Sequence, residues 1–362
     1  MSLIVLLMHS LMVFASSAAW AASENQTPFS IGRPELEETF GADTPLGRFS
    51  YQAGQGLRVG RTGLTIGGFT TAEVEHLENG ERRGGIEELN FLISYDPLPF
   101  AHLFAELGVG SLAEVGRGRR GIHSNPALEV ERLYLDLGTR DALRLRVGKF
   151  QTPVGRWNLT PREPHLWTTS EPLIVEEVFD DTTTGAMLHG SVFPQGGALS
   201  YSLYGAFLPP LDAQSDEHPV RRSAGAHLEW ASLRGWTLGA SYFASQRRNG
   251  EWNHLGGADL LWFPHQRVEL SGELLFGEGS IEDGATWGLY TQGVVETLPT
   301  LFLVGRYEHV RPPGGGRDIN LFDLGFAWVP VPYFRFKADY LIADHRHELA
   351  APGLRVSFSL LF

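Results

Sequence analysis

The sequence predicts an all-β chain, folded as a transmembrane antiparallel β-barrel of about sixteen strands, and three observations carry that expectation. From Leu64 onward, segments of about ten residues place apolar side chains on alternate positions, which is the period of a β-strand. The connectors between these segments alternate between tight turns and longer polar loops. Aromatic residues collect at the tight turns, and the last apolar-faced segment runs out at Phe362.

Ahead of the barrel, residues 1–21 have the anatomy of a secretory signal peptide. Met1 to Ala22 contain no Lys, Arg, Asp or Glu; apolar runs at Leu3–Met8 and Leu11–Phe14 give way to small residues, and Ala19, Trp20 and Ala21 fit an A-x-A cleavage site. The n-region is atypical, because its only basic side chain is His9. A retained membrane anchor is the alternative, although the apolar stretch is short for one. Residues 22–63 read as a periplasmic lead or a short plug segment, with an extra hairpin over Ser50 to Arg61 left open. Residues 64–362 are the barrel.

Composition narrows the function classes. There is no Cys, so disulfide and thiolate chemistry are excluded. The formal net charge of −13 argues against a nucleic-acid partner. No second apolar run approaches the ~18–20 residues of a spanning helix.

The strand pattern is clearest at the end. Leu354, Val356, Phe358, Leu360 and Phe362 share one face, with Arg355, Ser357 and Ser359 on the other. The preceding segment sets Phe334, Phe336, Ala338, Tyr340 and Ile342 against Arg335, Lys337 and Asp339. Strand centres fall near Gly68, Phe91, Phe104, Leu133, Leu145, Leu188, Leu203, Ala226, Ala240, Ala258, Gly272, Leu289, Leu303, Leu324, Phe336 and Phe358. Tight turns lie at 96–99, 138–141, 194–197, 231–235, 264–266, 296–299 and 330–332, and longer polar loops at 110–126, 209–222 and 343–353. Tyr95, Phe100, Phe193, Trp230, Trp236, Trp262, Phe263, Trp328, Tyr333 and Phe334 flank the turns, as an interfacial girdle requires. An even strand count puts both ends of the barrel on the periplasmic side, and a final strand ending at Phe362 is expected to close the sheet so that no edge faces lipid. A soluble propeller or sandwich would share the alternation but not the turn asymmetry.

The longest interruption is Gln151 to Asp181. It is too aromatic for a floppy linker, and it carries Glu163, Glu171, Glu176, Glu177, Asp180 and Asp181 against Arg156 and Arg162. An ordered acidic loop of this length is a candidate constriction folded into the lumen; packing outside the mouth is the alternative.

The stretch Glu131–Gly138, followed by Leu143–Gly155 reading LRLRVGKFQTPVG, resembles the strand-turn-strand signature of the bacterial porin superfamily that includes the phosphate-selective porins O and P. Gly54–Leu57 and Leu64–Phe69 are similar to that family's first strand. The resemblance implies a sixteen-stranded homotrimer whose third outer loop folds inward, which here is the 151–181 loop. The phosphate-selective members line their channel with a ladder of Arg and Lys. Here the lumen-facing set is mixed: His189, Arg267 and Arg306 alternate with Glu106, Asp136, Glu229, Asp259, Glu269, Glu273, Glu308, Asp323 and Asp339. Phosphate selectivity is therefore not carried over.

Two basic groups stand out as a pore wall: Arg132, Arg144 and Arg146 just before the loop, and Arg335, Lys337 and Arg355 on the last two strands. Facing an acidic loop, such a wall would set up a transverse field favouring dipolar solutes. Catalytic and metal readings are weak. His345 and His347 lie in a polar loop, and no G-x-S-x-G, H-E-x-x-H or P-loop motif occurs. The expectation is a non-enzymatic channel without cofactor or metal, in contact with outer-membrane lipid and passing small hydrophilic solutes or ions. A non-conducting surface protein is the alternative, and a barrel enzyme comes third.

Overall fold

The computed structural model describes residues 40–362 apart from 46, 117–118, 125, 161–164, 177–178, 180, 209–219, 248–249, 279–284, 312–316 and 346–350, and the backbone alone at 119–123, 176, 220–221, 247, 278 and 285–286. Residues 1–21, expected as a signal peptide, and residues 22–39 lie outside the described residues. So do Arg162, Glu163, Glu177, Asp180 and His347, and the side chain of Glu176.

Twenty strands form one antiparallel sheet, and sixteen of them close on themselves. Three short strands come first: β1 (Phe40–Thr44), β2 (Gly47–Gln52) and β3 (Gly56–Val59). The barrel begins with β4 (Leu64–Leu77), β5 (Arg82–Leu98) and β6 (Ala101–Gly116). A short β7 (Arg119–His123) folds back on the end of β6, and the barrel resumes with β8 (Ala127–Arg140) and β9 (Leu143–Gln151). After the long loop, with one helical turn α1 (Leu173–Glu176), come β10 (Thr182–Val192), β11 (Gly197–Ala206), β12 (Val220–Ser232) and β13 (Trp236–Arg247). The circuit ends with β14 (Trp252–His265), β15 (Val268–Glu278), β16 (Ala285–Leu298), β17 (Leu301–Arg311), β18 (Ile319–Val331), β19 (Phe334–Ala343) and β20 (Gly353–Leu361). Strand β20 pairs with β4, from Gly353↔Leu77 to Leu361↔Phe69, and this seam closes the cylinder.

Each of the sixteen expected strand centres falls inside its own barrel strand, and all seven expected tight turns join neighbouring strands at one end. The longer connections lie at the other end. Some bounds differ from expectation, and β12 already begins at Val220, inside the loop expected over 209–222. Residues 110–126 were expected as a polar loop, but β6 runs to Gly116 and β7 pairs back on it (Glu114↔His123, Val115↔Ile122). Ser111 to Glu114 lack the apolar contrast that marks a strand in lipid, while backbone pairing there needs none. Residues 40–59 form a three-strand meander in which β3 pairs with the start of β4, just past the point where β20 stops.

Burial runs outside in. On β17, Leu303 is 51% exposed while its neighbours Phe302 and Val304 are 1% and 5% exposed. The same alternation leaves Leu133, Leu188, Leu238, Leu274, Leu324, Phe358 and many like them on the outer surface. Water does not solvate such a cylinder, whereas hydrocarbon does. Among the described residues no helix is long and apolar enough to cross a membrane; the crossing is made by strands. Trp262, Trp328, Tyr95 and Phe193 stand exposed at the tight-turn end, where an interfacial girdle belongs.

The inner face was expected to be charged. It also carries a buried apolar set, including Phe104, Tyr134, Phe150, Leu275, Ile319 and Leu321. Period-two alternation assigns a face but not its content, and these inward side chains are buried because they share one apolar cluster with the long loop.

Candidate functional site

The site is the lumen together with the loop of residues 152–181. The loop starts and ends at one point: Thr152 N donates to Asp181 O at 2.8 Å, and Asn158 Nδ2 donates to both Thr152 O (2.8 Å) and Asp181 O (3.0 Å). From that neck it crosses the lumen and is fixed to the far wall along its length. Gly155 N donates to Ser241 Oγ on β13 at 3.0 Å. Arg156 N (2.9 Å) and Trp157 N both donate to Glu273 on β15. Trp167 Nε1 reaches Glu269 at 3.1 Å, Leu173 N reaches Glu308 at 2.7 Å, and Thr169 N reaches Asp339 at 2.8 Å. Gly155 has φ +66° and a Cβ there would strike the Glu273 carboxylate, so glycine alone fits this approach.

The loop's large side chains fill space between the anchors. Trp167 meets Phe302 at a tilt with ring centres 4.9 Å apart, Trp157 sits edge-on to Tyr290 at 5.7 Å, and Phe179 meets Phe243 at 6.4 Å. Ile174 and Val175 of α1 are fully buried. Backbone N–H groups buried this deeply need acceptors, and the wall's carboxylates supply them.

The structure places the six expected wall cations on the inner surface, each with a partner. Arg132 Nε lies 2.5 Å from Glu106, and Arg146 makes two bonds of 2.8 Å to Asp136 while its guanidinium covers the Tyr134 ring at 3.8 Å. Arg144 meets Asp141 at 3.0 Å beside the tight turn. Arg355 donates to Glu75 at 3.2 Å. Arg335 and Lys337 point at the loop, but they donate to its backbone, to Leu166 O at 2.8 Å and Thr168 O at 3.0 Å. Among the described residues, wall side chains of both signs grip the loop's peptide groups. Arg267, expected inward, is exposed at the β14–β15 turn.

Of the loop's own charges, Arg156 crosses to Glu229 at 2.5 Å and lies 3.7 Å from Asp259. Glu171 lines a cavity at the loop's crest, and Asp181 closes the neck through its carbonyl. Arg306 joins wall and loop. It bonds Glu308 (2.8 Å) and Asp323 (3.2 Å) on the wall, and Thr168 Oγ1 (2.5 Å) and Ser170 O (2.8 Å) on the loop. The Arg306–Asp323 pairing follows from the β17–β18 register, in which they are direct partners. In the loop, packing around His165 and the nearby Arg335 cation lower its pKa from 6.5 to about 4. Glu75, Arg83 and Ser241 were missed in the sequence. The first two sit in the β4–β5 hairpin among other charged residues that do not single them out, and a serine among glycines and alanines carries no signal.

Among the described residues no cluster of His, Asp or Glu is arranged to hold a metal. His345 instead meets its neighbour Asp344 at 2.5 Å.

No family model matches the chain. An uncharacterized protein of Aquifex aeolicus is 23% identical over 394 residues, covering 92% of this chain and 86% of that protein. Similar solved structures include OmpF of Salmonella typhi in complex with daunomycin, at 11% identity and TM-score 0.61, covering 83% of this chain and 97% of that one. The outer-membrane channel DcaP of Acinetobacter baumannii gives 10% identity and TM-score 0.58 over 83% and 97%. The anion-selective porin from Comamonas acidovorans gives 12% and 0.56 over 83% and 99%. The fold is that of the bacterial outer-membrane porins. Together with the apolar outer surface, it makes the chain a bacterial outer-membrane β-barrel.

Proposed function

We propose that the chain is an outer-membrane channel for passive diffusion of small hydrophilic solutes or ions, narrowed by the 152–181 loop. The observation that carries this reading is a sixteen-strand barrel, wide enough for an aqueous lumen, entered by one loop pinned to the opposite wall. The wall flanking the loop is lined with ionic side chains on both of its sides. Arg146, Asp136 and His189 lie toward the tight turns, and Glu75, Arg83 and Arg355 toward the long loops. The likeness in fold to porins supports a non-enzymatic reading. Assembly as a homotrimer is proposed with it, since the resemblance in Leu143–Gly155 and the trimer form of Vibrio cholerae OmpT (TM-score 0.51) both point there.

The packing of Trp157, Trp167 and Ile174 inside the lumen supports a second reading, a barrel closed at rest that acts as a surface protein. Planar-bilayer recording of the purified full chain decides between them. Discrete conductance steps, with a reversal potential in a salt gradient that reports ion preference, are the expected result; their absence overturns the channel reading and leaves the closed barrel.

A further inference from the structure

A cavity of about 210 Å³ lies at the crest of the loop, on the side of the longer connections. On its wall Arg83 (β5), Glu75 (β4) and Arg355 (β20) stand side by side in register, as Glu75↔Arg83 and Arg355↔Glu75. One carboxylate thus pairs with two guanidinium groups, which leaves the trio with a net positive charge. Arg355 Nε donates to Glu75 at 3.2 Å and Nη2 to Ala351 O at 2.8 Å, but its buried Nη1 has no partner among the described residues. A buried guanidinium N–H without an acceptor is costly, and an incoming anionic oxygen would remove that cost. On the opposite side the loop presents Glu171, and the floor is apolar, made by Leu173, Leu321 and Leu341.

A cation with an unmet donor, a facing carboxylate and an apolar floor between them define a ligand by its chemistry. We propose that this cavity is a binding subsite for a small zwitterion with an apolar side chain, of the aliphatic α-amino acid class. The carboxylate meets Arg355 and Arg83, the ammonium meets Glu171, and the side chain lies on the three leucines. The volume is below the roughly 300–1,000 Å³ of sites for drug-sized ligands, which restricts the solute to a single small molecule. The proposal rests on the channel reading for its purpose, holding a solute above the constriction, but binding is measurable without conduction.

The test is equilibrium binding to the full chain in detergent micelles, with L-leucine as probe and three analogues: 4-methylpentanoate without the ammonium, isoamylamine without the carboxylate, and glycine without the side chain. Leucine is expected to bind saturably and each analogue to bind more weakly. Arg355→Gln is expected to weaken leucine binding about tenfold, the size of one charge-assisted hydrogen bond, and Arg355→Lys to recover part of it. Leu341→Ala, which changes no charge, is expected to shift preference toward phenylalanine. No saturable leucine binding, equal binding of all four probes, or leucine binding indifferent to Arg355→Gln would each overturn the subsite. Leucine binding without conductance steps would sink the channel and keep the subsite; steps without binding would do the reverse.

Discussion

Gly68 and Phe362 exchange two backbone hydrogen bonds, Gly68 N to Phe362 O at 2.9 Å and Phe362 N to Gly68 O at 2.8 Å. The pair adds one step to the β20–β4 seam, and the Phe362 ring then stands edge-on to Phe91 at 6.1 Å. A Cβ on Gly68 would meet the Asn90 carbonyl oxygen and the Phe362 ring itself. Gly68→Val is expected to lower the stability of the folded barrel by about 1–3 kcal/mol through overpacking. Urea unfolding in detergent checks this, and an unchanged midpoint would contradict it.

The neck of the loop makes its excision feasible. Thr152 and Asp181 are already bonded through the backbone, and Thr152 Oγ1 lies 2.9 Å from Thr183 Oγ1. Replacing residues 154–179 with a short Gly-Ser turn is expected to preserve the barrel's β-sheet circular-dichroism signal in detergent and to raise single-channel conductance severalfold. Unaltered conductance in a folded variant would mean that the loop is not the constriction.

Arg306 is fully buried between Glu308 and Asp323, so removing its charge strands both carboxylates. Arg306→Met is expected to cost about 3–5 kcal/mol, as for a broken buried pair. Adding Glu308→Gln and Asp323→Asn should restore much of that loss, because no unpaired charge then remains and the amide oxygens can still accept from Leu173 N and Ser170 Oγ. Denaturant midpoints of the single and triple variants make the comparison.

His165 gives the docked loop a pH dependence. A histidine whose pKa is depressed in the folded state binds fewer protons folded than unfolded between about 4 and 6.5, so stability rises with pH across that window. Its contribution is complete above pH 6.5 and is lost as pH falls toward 4. Hydrogen–deuterium exchange in residues 165–176 is expected to quicken from about pH 7.5 to about pH 4.5 after correction for the intrinsic rate. His165→Gln should remove that acceleration; if it persists unchanged, another group is responsible.

The barrel was legible because lipid imposes an alternation strong enough to read residue by residue. Phe334 to Ile342 and Leu354 to Phe362 announce their faces, and the turn lengths order the strands. The interior was only half legible. Alternation put Glu273, Glu308 and Asp339 inside but could not say that they accept loop N–H groups, because those partners are 116 to 170 residues away in the chain. Nor could it separate the inward Phe302 from the outward Leu303 by character, since both are apolar and only the partner differs. Glu75 and Arg83 were invisible for a related reason: an extended hairpin beyond the apolar band has the composition of a surface loop.

The loop's anchoring also dictates an order of events. Its seats on β13, β15, β17 and β19 are made after the loop, at separations of 86 to 170 residues. Contacts that distant form late. Trp157, Trp167 and Ile174 must therefore wait undocked until nearly the whole circuit exists, and a nascent barrel carries a sticky, unsatisfied segment through most of its assembly. Refolding should accordingly show strand formation before tryptophan burial, with the interval between them being the time when the chain is most prone to aggregate.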